Sequence, residues 1–317
     1  SSSIVFYDSM LTEVTAEDRM DNISSLGYAW GYIGSCIPFV AGILLIFTLP
    51  FGLDTLKATQ LSFFITGIWW VLLSIPLLKN VKQLHYLKKR ENIVSHAFKR
   101  IGETLRKIKQ NKRLLYFIIA YFCYIDGVYT IISMATTYGG EVGIGQTDMI
   151  LALLLTQFVA FPFAILSGVL AGKVGSLKLI KFYIVVYAFA CILGYRMSQA
   201  WEFWLLAVVV GMAQGGIQSL SRAYFGKMIP KEEATEYFGF FDIFGKFSAV
   251  IGPALFSLVW GATQQVYLGI VHHLAQEKGI TMPESELDML AERYALGRGG
   301  RSARAATQFI DGLLAKQ

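Results

Sequence analysis

Charge is scarce in this sequence. Lys, Arg, Asp and Glu make up 16% of its 317 residues, where soluble domains carry about 25%. Hydrophobic residues reach 55% and the mean hydropathy is positive, so a chain of this length needs a solvent other than water. Cysteine is scarce too. Cys36, Cys123 and Cys191 all fall inside apolar runs, which excludes a disulfide framework and any zinc-ligand spacing. The four histidines are His85, His96 and the adjacent pair His272–His273. Adjacent residues on a helix point in different directions, so no metal site is expected. There is no Walker A motif, because Gly245-Lys246 is followed by Phe247. No nucleophile, base and acid constellation stands out, so no enzyme and no cofactor are expected.

What is abundant is the long apolar run. Low-charge stretches fall near 27–49, 60–79, 114–137, 148–171, 179–198, 202–224 and 237–260. A helix of about 20 residues crosses a hydrocarbon core, and helices are the default because lipid offers the backbone no hydrogen-bond partners. The expected fold is all-α: a polytopic membrane helix bundle with about seven spans. Residues 1–7 are too short to span and read as the end of a helix begun earlier, as in a fragment starting mid-protein.

Basic residues are concentrated. Between Lys79 and Arg113 lie twelve Lys or Arg against two acids, Glu91 and Glu103, which places that segment in the cytoplasm. The 138–147 loop has no Lys or Arg and falls outside. The loops at 172–181 (Lys173, Lys178, Lys181) and 225–236 (Lys227, Lys231, just after Arg222) fall inside. Residues 8–26 are expected as a cytoplasmic segment, although Arg19 is their one base. A nucleic-acid partner does not suit a patch beside seven spans; the bilayer does. Val94, Phe98, Ile101, Leu105 and Ile108 repeat at helical spacing with Lys and Arg opposite, the pattern of an amphipathic helix on the inner membrane surface.

Polar residues inside spans need a cavity or a partner. Asp126 lies mid-span between Tyr124 and Tyr129, as either a proton-coupling or solute-contacting carboxylate or a helix-packing one. Asp242 and Lys246, four apart on one face near the cytoplasmic end, read as a gating or structural ion pair. Gln214, Gln218 and Ser221 share a face beside Gly215 and Gly216, which permit close helix approach, and Gln157 precedes Pro162. Polar stripes on several helices point to a solute path rather than to interhelical bonding alone. Gly27 and Gly31 have small-residue packing spacing, and Trp201, Trp204 and Trp260 sit at span ends as interface anchors.

Helices on both sides of a long basic cytoplasmic segment resemble a major facilitator transporter. FYDSMLTEV…DRMDNISSLGYAWGYIGS (6–35), AYFCYIDGVYTI (120–131), QGGIQSLSRAYFGKMIP (214–230) and EYFGFFDIFGKFSAVIGP (236–253) resemble its vacuole-effluxer branch. The resemblance implies that residues 1–79 are the end of helix four plus helices five and six. Residues 80–113 are then the linker and 114–262 helices seven to eleven of twelve. It implies secondary active transport of a small solute, with amino-acid efflux as the family's activity; Asp126 makes protons the expected coupling ion. For bacterial relatives it implies the cytoplasmic membrane. The family's intramembrane acid falls on Asp126 and its Gln-Gly-Gly on Gln214, Gly215 and Gly216. The pathway set is then Asp126, Tyr129, Gln157, Gln214 and Gln218. The superfamily's cytoplasmic loop signature matches Gly168, Leu170, Ala171, Lys173 and Gly175, with Gly172 where aspartate belongs.

Residues 263–317 break the pattern. No twelfth span follows Trp260. Three short amphipathic helices are expected instead: one with Tyr267, Val271 and Leu274, one with Leu287, Leu290, Ala291 and Tyr294 closed by Gly297, and one from Ser302 through Phe309 and Leu313. The loop count puts this tail outside. ALGRGGRSARAATQFIDGLL (295–314) resembles the helical lid of an AAA-type ATPase family, with Arg301 or Arg304 on its arginines and Ala303 where glycine is usual. The alternative to a transporter is therefore a transport-inactive membrane scaffold joined to an ATPase-derived interaction module.

Overall fold

A computed structural model describes residues 3–81, 93–197, 199–280, 282–298, 301 and 303–315. Among them there is no strand. The helices run α1 (Ser3–Val14), α2 (Met20–Thr48), α3 (Thr55–Asn80), α4 (Ile93–Gln110), α5 (Lys112–Glu141), α6 (Gln146–Val174), α7 (Ser176–Arg196), α8 (Ala200–Gly226), α9 (Ala234–Glu277), α10 (Glu284–Arg298) and α11 (Ala303–Leu314). Seven of the described helices, α2, α3 and α5–α9, are long and apolar enough to cross a membrane. They coincide with the seven expected runs. The described residues form an all-α membrane helix bundle.

Local chemistry sets the boundaries. Asp54 Oδ1 accepts the Lys57 N–H at 2.7 Å and starts α3. Asn111 Oδ1 accepts the Leu114 N–H at 3.2 Å and starts α5. Such caps satisfy backbone donors that the first turn leaves open. Gln199 and Glu202 form a reciprocal capping box at the head of α8. Gly175, at φ +95°, breaks the chain between α6 and α7, a backbone conformation that glycine adopts without steric cost.

The core is built around α8, which packs on α2, α6 and α7. Its small residues set how closely. A Cβ on Gly215 would lie 2.7 Å from Ala164 Cβ, and one on Gly211 would lie 2.9 Å from the Thr156 carbonyl oxygen. A Cβ on Gly216 would run into the Tyr183 ring. Helices without these side chains approach nearly backbone to backbone, which is how dispersion holds helices in lipid.

The two groups of loop ends separate as expected. Lys107 Nζ, on α4, bonds Glu233 Oε1 at 2.5 Å beside the start of α9. Asp21 Oδ2, at the start of α2, accepts from Ser176 Oγ at 2.8 Å and Lys227 Nζ at 2.5 Å. So the segments expected in the cytoplasm meet at one end. At the other end Tyr138 Oη donates to the Gly194 carbonyl at 3.0 Å, and Trp204 Nε1 donates to Asp148 Oδ1 at 3.2 Å.

Residues 8–26 hold the end of α1, to Val14, a short turn, and the start of α2 from Met20. Asp8, Ser24 and Ser25 bond α8 through Arg222 and Ser219, whereas Glu17, Asp18 and Arg19 of the turn are exposed. On the basic amphipathic helix α4, Ile108 is buried against the protein, whereas Ile101 and Leu105 are exposed. The side chains of Val94 and Phe98 lie outside the described set, as do those of His85 and His96. One expectation is corrected: the tail does not begin with a separate helix at 263. Helix α9 runs unbroken for 44 residues, about 66 Å at 1.5 Å per residue, roughly twice the hydrocarbon thickness. Tyr267, Val271 and Ala275 on its far end form a second core with Leu287 and Ala291 of α10 and Phe309 and Ile310 of α11.

Candidate solute pathway

The polar heart of the molecule lies where α1 and α2 meet α8 and α9. Arg222 of α8 is buried. Its Nη1 donates to Asp8 Oδ1 of α1 at 2.9 Å, its Nε to Ser24 Oγ of α2 at 2.9 Å, and its Nη2 to the Ser24 carbonyl at 3.1 Å. The guanidinium lies 5.3 Å from the ring centre of Tyr7 and 4.7 Å from that of Tyr28. Charge pairing, hydrogen bonds and aromatic faces together hold a cation that lipid would otherwise reject.

Two cavities share the Asp8 and Tyr28 wall. The first, about 430 Å³, is also lined by Tyr32, Ser35, Gln157, Gln214 and Arg222. The second, about 330 Å³, is lined by Tyr121, Tyr129, Gln218, Asp242 and Lys246. These volumes are within the range of small-molecule sites, about 300–1,000 Å³. The Tyr32 hydroxyl is buried on the first cavity's wall, beside Gln214. Asp242 and Lys246 form an ion pair in the second.

Six residues singled out from sequence thus line cavities: Gln157 and Gln214 the first, Tyr129, Gln218, Asp242 and Lys246 the second. Ser221, on the same stripe of α8, instead bonds the Tyr124 hydroxyl at 2.6 Å. Asp126 lines neither cavity. It sits where α5 meets α9, and a Cβ added to Gly252 of α9 would lie 2.9 Å from its Oδ1. That oxygen and the Thr130 hydroxyl are both buried without partners among the described residues.

The loop signature lies at the end of the bundle expected in the cytoplasm. A Cβ on Gly168 would lie 2.8 Å from Ser25 Cβ and 3.1 Å from Asn22 Cα, so this glycine lets α6 close against α2. Gly175 supplies the turn, and Ser176 beyond it bonds Asp21. Lys173 is exposed. Nearby, Ser24 Oγ donates to the Ser219 carbonyl at 2.7 Å, and the Ser25 and Ser219 hydroxyls bond at 3.0 Å. Thr235 Oγ1 donates to Ser9 Oγ at 3.2 Å. Polar bonds between α1–α2 and α6–α9 therefore gather at this end.

Asp8 and Arg222 are the residues that sequence reasoning missed. Arg222 continues the spacing of four from Gln214 and Gln218, so its place on the stripe was visible. Its position one turn from the end of its span grouped it with the loop charges. Asp8 lies in the segment expected as cytoplasmic, ahead of any run long enough to span.

Seven membrane-length helices in two groups around polar cavities fit a membrane helix bundle of the major facilitator type. The sequence family described as vacuole effluxer Atg22 like matches residues 8–275, and the chain belongs to it. An uncharacterized MFS-type transporter YxiO of Bacillus subtilis is 46% identical over 81% of this chain and 61% of its own length. Autophagy-related protein 22 of Yarrowia lipolytica is 27% identical over 84% of this chain and 51% of its own length. Autophagy-related protein 22-1 of Aspergillus niger is 25% identical over 75% of this chain and 42% of its own length. The chain spans about half the length of the curated relatives it matches. A family of unknown function, DUF815, matches residues 255–317. The two matches overlap within α9, around the expected junction at 263. No solved structure matches.

Proposed function

We propose that the protein moves a small solute across a membrane by alternating access between α1–α3 and α5–α9. The carrying observation is the pair of cavities between these groups, walled by both and holding Gln157, Gln214, Gln218, Tyr129, Asp242 and Lys246. Alternating access places the site between two bundles that rock about it. The hydrogen-bonded cytoplasmic end corresponds to one closed side, and transport requires its bonds to part. The solute class implied by the family resemblance is an amino acid, moved outward across a bacterial cytoplasmic membrane.

Protons are the proposed coupling ion, through Asp126. Its orphaned Oδ1 beside the orphaned Thr130 hydroxyl supports this, since a protonated carboxyl can donate a hydrogen bond that a carboxylate cannot. The charge facing Gly252 of α9 would then differ between protonation states, which is what coupling needs.

The test is flux of radiolabelled amino acids from proteoliposomes containing the chain, with and without a pH gradient. Gln214→Ala should lower flux, and Asp126→Asn should abolish its response to the gradient. An unchanged pH response in Asp126→Asn removes the coupling role. No flux from the parent chain favours the second reading, a membrane scaffold bearing an interaction module. The separate core joining the end of α9 to α10 and α11 supports that reading.

A further inference from the structure

Helix α4 presents three different faces in order around its axis. The first docks on the protein. Thr104 and Ile108 are buried, Thr104 Oγ1 donates to Glu236 Oε2 at 3.0 Å, and Arg100 pairs with Glu236. Lys107 bonds Glu233. Both acids stand at the foot of α9, the helix that carries Asp242 and Lys246 into the second cavity. The next face is apolar and uncovered: Ile101 is 50% exposed and Leu105 38%, against 2% for Ile108. The third face carries Lys109, Arg106 and Lys99, all exposed. From 99 to 113 seven bases stand against one acid, Glu103.

The level of this helix is fixed by its neighbours. Span α5 begins at Lys112, two residues after α4 ends, and α9 begins beside the α4 cations. The apolar strip therefore lies at the membrane–water boundary, and the third face stands at headgroup height. An apolar strip flanked by cations is the form that enters an anionic leaflet.

We propose that α4 is a sensor for anionic phospholipid in the cytoplasmic leaflet. Ile101 and Leu105 enter the acyl boundary, Lys99, Arg106 and Lys109 engage headgroup phosphates, and Arg100 and Lys107 transmit the seating of α4 to the foot of α9. The two jobs fall on different cations, so lipid binding need not break the bonds to Glu233 and Glu236. Anionic lipid then stabilises the docked position of α9's first turns. This requires a membrane-embedded chain but no transport, so its failure leaves the transport reading standing.

The experiment is hydrogen–deuterium exchange of the full chain in nanodiscs of phosphatidylcholine alone or mixed with phosphatidylglycerol. One cation near an anionic surface contributes about a fivefold factor, so three should slow exchange of 99–110 by on the order of tenfold or more. Peptides covering 231–245 should slow with them. Replacing Lys99, Arg106 and Lys109 together by Gln should remove the lipid response while leaving exchange in phosphatidylcholine unchanged. Replacing Arg100 and Lys107 by Gln should keep the response at 99–110 and lose it at 231–245. Equal exchange of the parent in the two lipids overturns the proposal, as does a full response in the triple variant. Slowing reproduced by inorganic phosphate in phosphatidylcholine would assign the site to a free anion and overturn it as well. A lipid response confined to 99–110 in the parent would overturn the link to α9.

Discussion

Arg222 and Asp8 form a buried ion pair, 2.9 Å from Nη1 to Oδ1, across the boundary between α8 and α1. These residues are 214 positions apart, so the pair ties the beginning of the chain to the bundle that follows the linker. Removing one member leaves the other charged, buried and uncompensated, at a cost of about 3–5 kcal/mol. Asp8→Asn and Arg222→Met should therefore each lower the thermal unfolding midpoint of the detergent-purified protein. The double variant should be less destabilised than the sum of the singles, because it strands no charge. Additive losses in that cycle would show that the pairing contributes nothing of its own.

The glycines of α8 make a sharper packing prediction. A Cβ at Gly216 would run into the Tyr183 ring and lie 2.6 Å from Ser167 Oγ. Tyr183 and Ser167 are themselves bonded at 2.5 Å, so neither gives way freely. Gly216→Ala should cost about 1–3 kcal/mol by overpacking. Gly31→Ala is the control: no atom lies within 4 Å of its Cβ position, and alanine is the better helix former. Its midpoint should hold or rise. Tyr183→Leu should recover part of the loss in Gly216→Ala, read from the same unfolding curves.

How much of this was legible can be judged residue by residue. Spans announce themselves because lipid forces apolar composition over the whole length of a helix, and all seven were readable. The segments expected in the cytoplasm from their basic clusters meet at one end of the bundle. Gln214, Gln218, Asp242 and Lys246 were readable as polar residues in places that penalise polarity. Two features were not. Asp8 lies in a helix of 12 residues, too short to give a span signal, and its partner is more than two hundred positions away. Periodicity reports which residues share a helix face but not which helix that face meets. For the same reason Asp126 could be seen as exceptional, while its placement against Gly252 rather than in a cavity could not.

Asp21 makes the cytoplasmic seal testable without a transport assay. It collects Lys227 and Ser176 from two other helices, and its Oδ1 is buried without a further partner among the described residues. Asp21→Ala removes both bonds at once and leaves Lys227 unpaired. A cysteine placed at Ser219, in a protein whose three native cysteines are replaced, should resist a membrane-impermeant thiol reagent added from the cytoplasmic side. In the Asp21→Ala background it should label readily. Equal labelling in the two backgrounds would mean that Asp21 does not hold this end closed.

Arg301 anchors the tail to the membrane helix, and this can be separated from the stability of the spans. Its guanidinium lies 4.1 Å from the ring centre of Trp260, and its Nη2 bonds Glu292 Oε2 at 2.6 Å. One side chain thus joins the stretch before α11 to both α9 and α10. Lysine cannot reproduce a planar group that stacks and pairs at once. Arg301→Lys and Arg301→Ala should both speed proteolysis within 282–315 and raise hydrogen exchange there, by a comparable amount. The unfolding of the spans should not move, because the tail's core of Tyr267, Ala291 and Ile310 is separate from the core around α8. Full protection in Arg301→Lys would reduce the interaction to charge alone, and a shift in the spans' unfolding would show that the two cores are coupled through α9.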